Sequence, residues 1–469
     1  MIYKEKQEEV KLQKKILAIL IVVIIAVAAV AAIATQLTPK PVSTDARDIK
    51  IGLVAPISGS PIGQDMERAA RLAVKEINDA GGVSVSSWNT KVNLTLVIAD
   101  TINDAPANAV TPVTRAVETD NVDMLIGGYG SAGTLANEIV AIENKVPYII
   151  SGASNQLVTR RGPQGNYGGF GANGANSISD TEGMSYIFHY CTTTYHYSKT
   201  VVDFFAGEMK PMVAADRNFS LALLYRNDAF GTGVAAATKF WIQNESLPIN
   251  IVADRSYDPA TTNYQTDLTA VAAAHPDAVF IADNPDKTPL IIKQGWDDVG
   301  LKSVYIAVEN NQDEAFYNLL GSVGDGQLLE SKLDPFMTPS YSTVVGNYAK
   351  AFDKAYPHVM PGMMGADTYD AVYIAKNAIE RAGTVDKATV RTAIENTNLD
   401  QLLIQTKTSK IQFSTGVNYH EIDPVTFIEQ LKWDASNSHL TSQIVWSPPG
   451  STNLKQANFV LPTGYQAGQ

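Results

Sequence analysis

Val122–Ser151 reads VDMLIGGYGSAGTLANEIVAIENKVPYIIS. An apolar run ends in paired glycines, an amphipathic stretch follows, and VPYIIS is apolar again. That is strand, turn, helix, strand. The two strands are too far apart in the chain for a tight hairpin. They predict parallel neighbours in one sheet with a helical crossover. Inside the turn, GYGSAG spells G-x-G-x-x-G at Gly128, Gly130 and Gly133, with Ser131 in its midst.

Three chemistries compete for that turn. A dinucleotide site needs an acid at the end of the next strand to hold the ribose. Here that strand runs into ISGASN, Ile150–Asn155, which carries none. A nucleophile elbow needs G-x-S-x-G and a positioned histidine late in the chain. The pentapeptide centred on Ser131 is YGSAG, and the late histidines His358, His420 and His439 sit in polar or turn contexts. An anion site needs less: a helix start with unpaired N–H groups, a glycine that lets the backbone approach, and a hydroxyl. The plainer alternative is that Ser131 caps its own helix. A second strand-to-helix turn carries Ser154. Neighbouring strand ends in a parallel sheet lie close, so Ser131 and Ser154 can converge on one anion.

The same alternation extends outward. IKIGLVAP (Ile49–Pro56), VNLTLVIAD (Val92–Asp100) and SLALLYR (Ser220–Arg226) read as strands, as do INIVADRSY (Ile249–Tyr257), DAVFIAD (Asp277–Asp283) and SVYIAVEN (Ser303–Asn310). Amphipathic helices separate them; the first is DMERAARLAVKEINDAGG, Asp65–Gly82, with a glycine stop. The Gly/Asn/Ser-rich stretch Arg161–Asp180 breaks the rhythm and divides the body into two α/β lobes. Helical patterns at Tyr341–Tyr356, Ala366–Ala382 and Val385–Glu395 are read as packing back onto the first lobe. Two lobes of one type imply a cleft at the carboxyl ends of their strands. Ser58, Gly128–Ser131, Ser151–Asn155, Asn227–Phe230, Asp283–Asp286 and Glu309 all fall there.

The 469 residues are 45% hydrophobic and 18% charged, an ordinary globular composition long enough for more than one domain. A formal net charge of −12, with no basic run interleaved with aromatics in the soluble part, argues against a nucleic-acid partner. One cysteine, Cys191, excludes a disulfide framework. The uncharged run Ile16–Ala34 would span about 28 Å as a helix, close to the hydrocarbon thickness of a bilayer. Lys11, Lys14 and Lys15 precede it and keep the N-terminus cytoplasmic by the positive-inside rule. The expectation is a cytoplasmic tail over 1–15, a transmembrane anchor over 16–34, a proline-bearing linker over 35–48, and a body outside the cell membrane. Ala32-Ile33-Ala34 also forms an A-x-A site, so a cleaved signal and a secreted body are the alternative. Sequons at Asn93, Asn218 and Asn244 suit an exported chain.

At this point the residues resemble a family. IKIGLVAPISGSPIGQDMERAARLAVKEINDAGGV looks like the opening of the type I periplasmic binding proteins, specifically the leucine/isoleucine/valine-binding group. LIGGYGSAGTLANEIVAIENKVPYIISGASNQLVTR, LALLYRNDAFGTGVA and LKSVYIAVENN continue the likeness, and their order carries it. The resemblance implies two Rossmann-like lobes joined by a three-crossover hinge. It divides the body into a first lobe over 49–190 (with an insertion over 161–185), a second lobe over 191–332, returns to the first over 333–410 and the second over 411–447, and a tail over 448–469.

The resemblance further implies a role for each site residue. Ser131 and Ser154 bind an amino acid's α-carboxylate, helped by backbone groups near Ala153. Phe230 packs over the ligand from the second lobe, and Glu309 holds the α-ammonium. Tyr129 and Ile62 wall the side-chain pocket, although many relatives have an aromatic where Ile62 stands. HYCTTTYHY, His189–Tyr197, matches no standard zinc spacing and aligns with the first crossover. The expected protein is a solute-binding component of an ABC importer that delivers an amino acid, branched-chain type favoured, to permease subunits. It has no catalytic residue, cofactor or metal. A ligand-sensing ectodomain, an amide or urea binder of the same fold, and a serine hydrolase are the alternatives.

Overall fold

The computed structural model describes Lys15 and residues 43–162, 177–334, 343–415, 419–450 and 454–466. The expected anchor Ile16–Ala34 and most of the Gly/Asn-rich insertion lie outside the described residues. Among the described residues, no helix is long and apolar enough to cross a membrane. Residues 43–46 and 86–90 belong to a small unit of their own, in which Ser43 N–H donates to the Trp88 carbonyl at 3.0 Å. The remainder is the body.

The body's first sheet uses β1 (Ile49–Ala55), followed by helix α1 (Pro61–Asp79), then β2 (Leu94–Asp100) and β3 (Met124–Gly127). Helix α2 (Ser131–Glu143), β4 (Tyr148–Ile150) and β5 (Ile187–His189) complete it. The order is β2-β1-β3-β4-β5 and every pair is parallel. β1, β3, β4 and β5 are buried almost throughout, as a sheet covered on both faces requires. Helix α1 begins at Pro61, earlier than the apolar pattern alone suggests. Proline suits a first helical position because its missing N–H has no intrahelical partner there.

The second lobe opens with α3 (Thr194–Phe204), β6 (Phe219–Arg226), α4 (Ala229–Asn244) and β7 (Ile249–Tyr257). β8 (Ala278–Ala282), β9 (Val304–Ala307) and β10 (Leu328–Ser331) follow. Helix α5 (Met363–Ala382) returns to the first lobe and packs along α1. β11 (Phe427–Asp434) and β12 (His439–Trp446) then close the second sheet, antiparallel. That sheet runs β12-β11-β10-β9-β8-β6-β7. Its five parallel strands repeat the connectivity of the first sheet, each reversing direction beside its opening strand. The carboxyl ends at such a switch point leave a crevice.

The chain crosses between the sheets three times, after β5, after β10 and before β11. The third crossing comes later than expected. His189 N–H donates to the His420 carbonyl at 2.8 Å and Ser414 N–H to the Glu421 carbonyl at 2.9 Å. These bonds keep the stretch around 414–421, assigned from sequence to the second lobe, beside β5. The expected C-terminal tail is also part of the second lobe. Phe459 is buried against Phe204 with ring centroids 5.3 Å apart, and the Val460 carbonyl accepts from Gln430 Nε2 at 2.6 Å. Burying an aromatic ring of this size contributes roughly 1.5–3 kcal/mol, enough to hold the segment down.

Candidate functional site

The loop after β3 is shaped by its glycines. Gly127 and Gly128 have φ of 101° and 77°, a left-handed region where a side chain is strained. A Cβ on Gly127 would lie 2.2 Å from the Val54 carbonyl oxygen. The loop ends at Gly130, which is the N-cap of α2, and no side chain caps that helix. Ser131 is the first helical residue. Its hydroxyl instead accepts the Asn155 N–H at 3.2 Å, next to Ser154. The capping alternative for Ser131 therefore fails, and the two serine turns converge.

Gly130 N–H donates to Asp104 Oδ2 at 2.7 Å, and Thr101 donates its hydroxyl to the same carboxyl. Burial pushes the Asp104 carboxyl up to about 6, against the bonds from Thr101 and Gly130. Across the cleft, Arg226 at the end of β6 sits 2.6 Å from Asp228 and 3.5 Å from Asp283. Burial alone would lower its guanidinium; the two carboxylates more than reverse that.

The two lobes meet directly. Tyr129 of the first lobe donates its hydroxyl to Asn284 Oδ1 at 2.9 Å and accepts from Asn310 Nδ2 at 3.1 Å. Asn155 Nδ2 donates to the Ala229 carbonyl at 2.6 Å. Between these contacts lies a cavity of about 70 Å³. At about 30 Å³ for each water, that is room for about two waters between the closed lobes. Ser131, Ser154, Tyr129, Phe230 and Glu309 all line it.

Glu309 occupies a short turn after β9 and is 2% exposed. Burial raises its carboxyl, and Lys332 opposes that rise from 3.2 Å. One end of the cavity thus offers a helix start with two hydroxyls, and the other a carboxylate. The first suits an anion and the second a cation.

Two sequence expectations are corrected. Ile62 does not line the cavity. It is the second residue of α1 and lies on the helix's buried stripe with Met66, Ala69, Ala70 and Ala73, so it faces the lobe core. Ala153 is fully buried and is not on the cavity wall. Its carbonyl accepts His189 Nε2 at 2.7 Å and Cys191 Sγ at 3.2 Å, while Gly152 and Ser154 reach the cavity.

Sequence reasoning also missed wall residues: Asn103, Asp104, Tyr197, Arg226, Asn310 and Met364. The strand-end rule could have found Asn103 and Asp104 after β2 and Arg226 at the end of β6. No sequence signal pointed to Met364 or Tyr197. His189 and His196 turn to separate partners, the Ala153 carbonyl and the Thr193 hydroxyl. Among the described residues, no group of three or more His, Cys, Asp or Glu side chains is arranged to hold a metal ion.

Two parallel-sheet lobes closing on a cavity between strand ends define a bilobal ligand-binding protein. The family model for periplasmic binding proteins matches residues 48–421, and the chain belongs to that family. The chain is 24% identical over 346 residues to Leu/Ile/Val-binding protein homolog 8 of Brucella abortus, covering 71% of this chain and 77% of the relative. Its fold is similar to the branched-chain amino acid transporter substrate binding protein LivJ of Streptococcus pneumoniae in complex with isoleucine. There the TM-score is 0.66 at 19% identity, covering 86% of this chain and 100% of that one. A solute binding protein of an ABC transporter from Rhodopseudomonas palustris, in complex with benzoate, gives a TM-score of 0.67 at 17% identity, covering 87% and 99%.

Proposed function

We propose that the chain is the solute-binding component of an ABC importer and takes an amino acid, branched-chain type favoured, into the cleft between its lobes. The observation that carries this is the pairing of opposite chemistries in one small cavity. Ser131, Ser154 and the first turn of α2 face the carboxylate, and Glu309 faces the ammonium. Tyr129 and Phe230 supply the apolar wall. Charge-assisted hydrogen bonds of this kind are worth roughly 1.5–3 kcal/mol each. The isoleucine complex of the Streptococcus pneumoniae protein is in keeping with the same ligand class.

In this proposal the apolar run Ile16–Ala34 tethers the body to the outer face of a cell membrane, and permease subunits receive the ligand. In this proposal the body binds its ligand and releases it unchanged.

A second reading is an aromatic carboxylate, because Tyr129, Tyr197 and Phe230 line the cavity and the Rhodopseudomonas palustris protein carries benzoate. Isothermal titration against leucine, isoleucine, valine and benzoate separates the two. Leucine-type binding that falls at least tenfold in Glu309→Gln supports the first. Benzoate binding indifferent to Glu309→Gln, with no amino acid bound, replaces it with the second.

A further inference from the structure

A second cavity, of about 220 Å³, adjoins the first, and Asn103, Asp104, Tyr129, Arg226 and Asn284 wall both. At about 30 Å³ for each water, the outer space holds about seven. The rest of its lining comes from strand-end loops of the two lobes. Gly59 and Ser60 follow β1, Pro259 follows β7, and Asp286 and Lys287 follow β8. The outer cavity is therefore the mouth of the cleft.

Size divides a ligand between the two spaces. Ser131, Ser154 and Glu309 line the inner cavity, and none of them lines the outer one. Room for about two waters does not take a whole amino acid. With its charged ends held inside, a longer side chain runs outward past Tyr129 and Arg226. What it meets at that neck is polar. Asp228 lies 2.6 Å from Arg226 Nε and Asp283 lies 3.5 Å from Nη1, and the guanidinium fork has further N–H donors to give. Asp104 takes one bond on each carboxyl oxygen, from the Thr101 hydroxyl and the Gly130 N–H, and each oxygen has a second lone pair. A hydrocarbon end would strip these groups of water and return no bond. A carboxamide brings one strong acceptor for Arg226 and two N–H donors. It suits Asp104 with or without a proton there, because it can give or take a bond.

We propose that the outer cavity is the side-chain subsite, and that the preferred ligand is an amino acid whose side chain reaches it and ends in a carboxamide, as glutamine does, with Arg226 selecting that end. The proposal rests on the reading that the cleft takes an amino acid. It changes only the side chain favoured there: a polar end replaces the branched hydrocarbon.

The test compares glutamine with 2-amino-5-methylhexanoate, which has the same shape but carries methyl groups in place of the amide oxygen and nitrogen. Alanine is the reference, since it keeps the charged ends and stops short of the neck. Titration calorimetry on the whole chain is expected to find glutamine bound about tenfold or more tighter than its hydrocarbon analogue. In Arg226→Met that ratio falls about tenfold, while the affinities for the analogue and for alanine stay within roughly threefold. A purely structural role for Arg226 lowers all three affinities together and leaves the ratio where it was. Ser60→Phe fills the outer cavity and leaves the ion pairs of Arg226 intact. Ser60 is half-buried, and its hydroxyl makes no capping bond to α1. This variant should weaken glutamine and its analogue about tenfold and spare alanine. Should Arg226→Met not fold, the wild-type ratio and Ser60→Phe carry the decision. Glutamine no tighter than its analogue in the wild type, an unmoved ratio in Arg226→Met, or full glutamine binding in Ser60→Phe each overturns the proposal, while binding of alanine or leucine keeps the amino-acid reading. A wild type that binds no amino acid overturns that reading, and the proposal falls with it.

Discussion

The hydroxyl of Tyr129 donates to Oδ1 of Asn284 across the cleft at 2.9 Å, joining the loop after β3 to the loop after β8. One phenol thus spans the two lobes on the wall of the cavity they enclose. Closure of such lobes is a population shift, and contacts made only in the closed state bias it.

Tyr129→Phe removes that bond and the one accepted from Asn310, and keeps the ring. At about 1 kcal/mol net for each bond, the closed population should fall roughly thirtyfold relative to the open one. Small-angle scattering of the ligand-free protein is expected to show a larger radius of gyration than the wild type. Indistinguishable curves would remove the latch.

Gly130→Ala should damage the site and the fold together. A Cβ there would lie 2.5 Å from the Asp104 Cβ, an atom close to the backbone that cannot swing aside. Overpacking of this sort costs about 1–3 kcal/mol. The denaturant midpoint is expected to drop. An unchanged midpoint would mean that the loop after β3 yields more freely than its contacts imply.

Ser131→Ala separates binding from folding. Because Gly130 is the N-cap and Ser131 does not cap α2, the cost to stability should be that of the buried Asn155 N–H left without its acceptor, about 1 kcal/mol, read as a modest fall in melting temperature. Affinity for a carboxylate ligand should fall about 10–100-fold, the worth of one charge-assisted hydrogen bond. A stability loss of that size with affinity intact would assign the hydroxyl to the fold alone.

Asp65 ties stability to pH. Burial pushes its carboxyl up to about 7, with Asp313 adding to the rise, while the N–H groups of Gly362 and Gly365 oppose it. The folded chain therefore keeps a proton that the unfolded chain gives up above its ordinary value of 3.8. The contribution is full below that value and is lost as pH rises toward about 7. His189 and His196 act with the opposite sign. Burial lowers both to about 3 from 6.5, so their share is present above 6.5 and lost as pH falls toward 3. Asp65→Asn should gain on the wild type in melting temperature as pH is raised through the Asp65 window. Parallel curves for the two proteins would contradict this.

Much of the architecture is legible along the chain. INIVADRSY is β7 from end to end, and the glycine pair before Tyr129 marks the turn that opens the cleft. These features depend on periodicity and on backbone sterics, which neighbouring residues set among themselves. The serine turns were legible for the same reason: hydroxyls after parallel strands must gather at one edge of a sheet. Ile62 misled because its position relative to a resemblance said nothing of helix phase. Once α1 starts at Pro61, Ile62 falls on the inward stripe.

The sequence by itself determined that two parallel-sheet lobes would form and which strand ends would carry the chemistry, because local pattern dictates elements and elements dictate sheet edges. Only the tertiary structure decided what those ends meet. Tyr129 and Asn284, like Asn155 and Ala229, are distant in the chain and come together through the crossings between the lobes. Contacts made across such distances depend on how the sheets close on each other, and no local pattern encodes them.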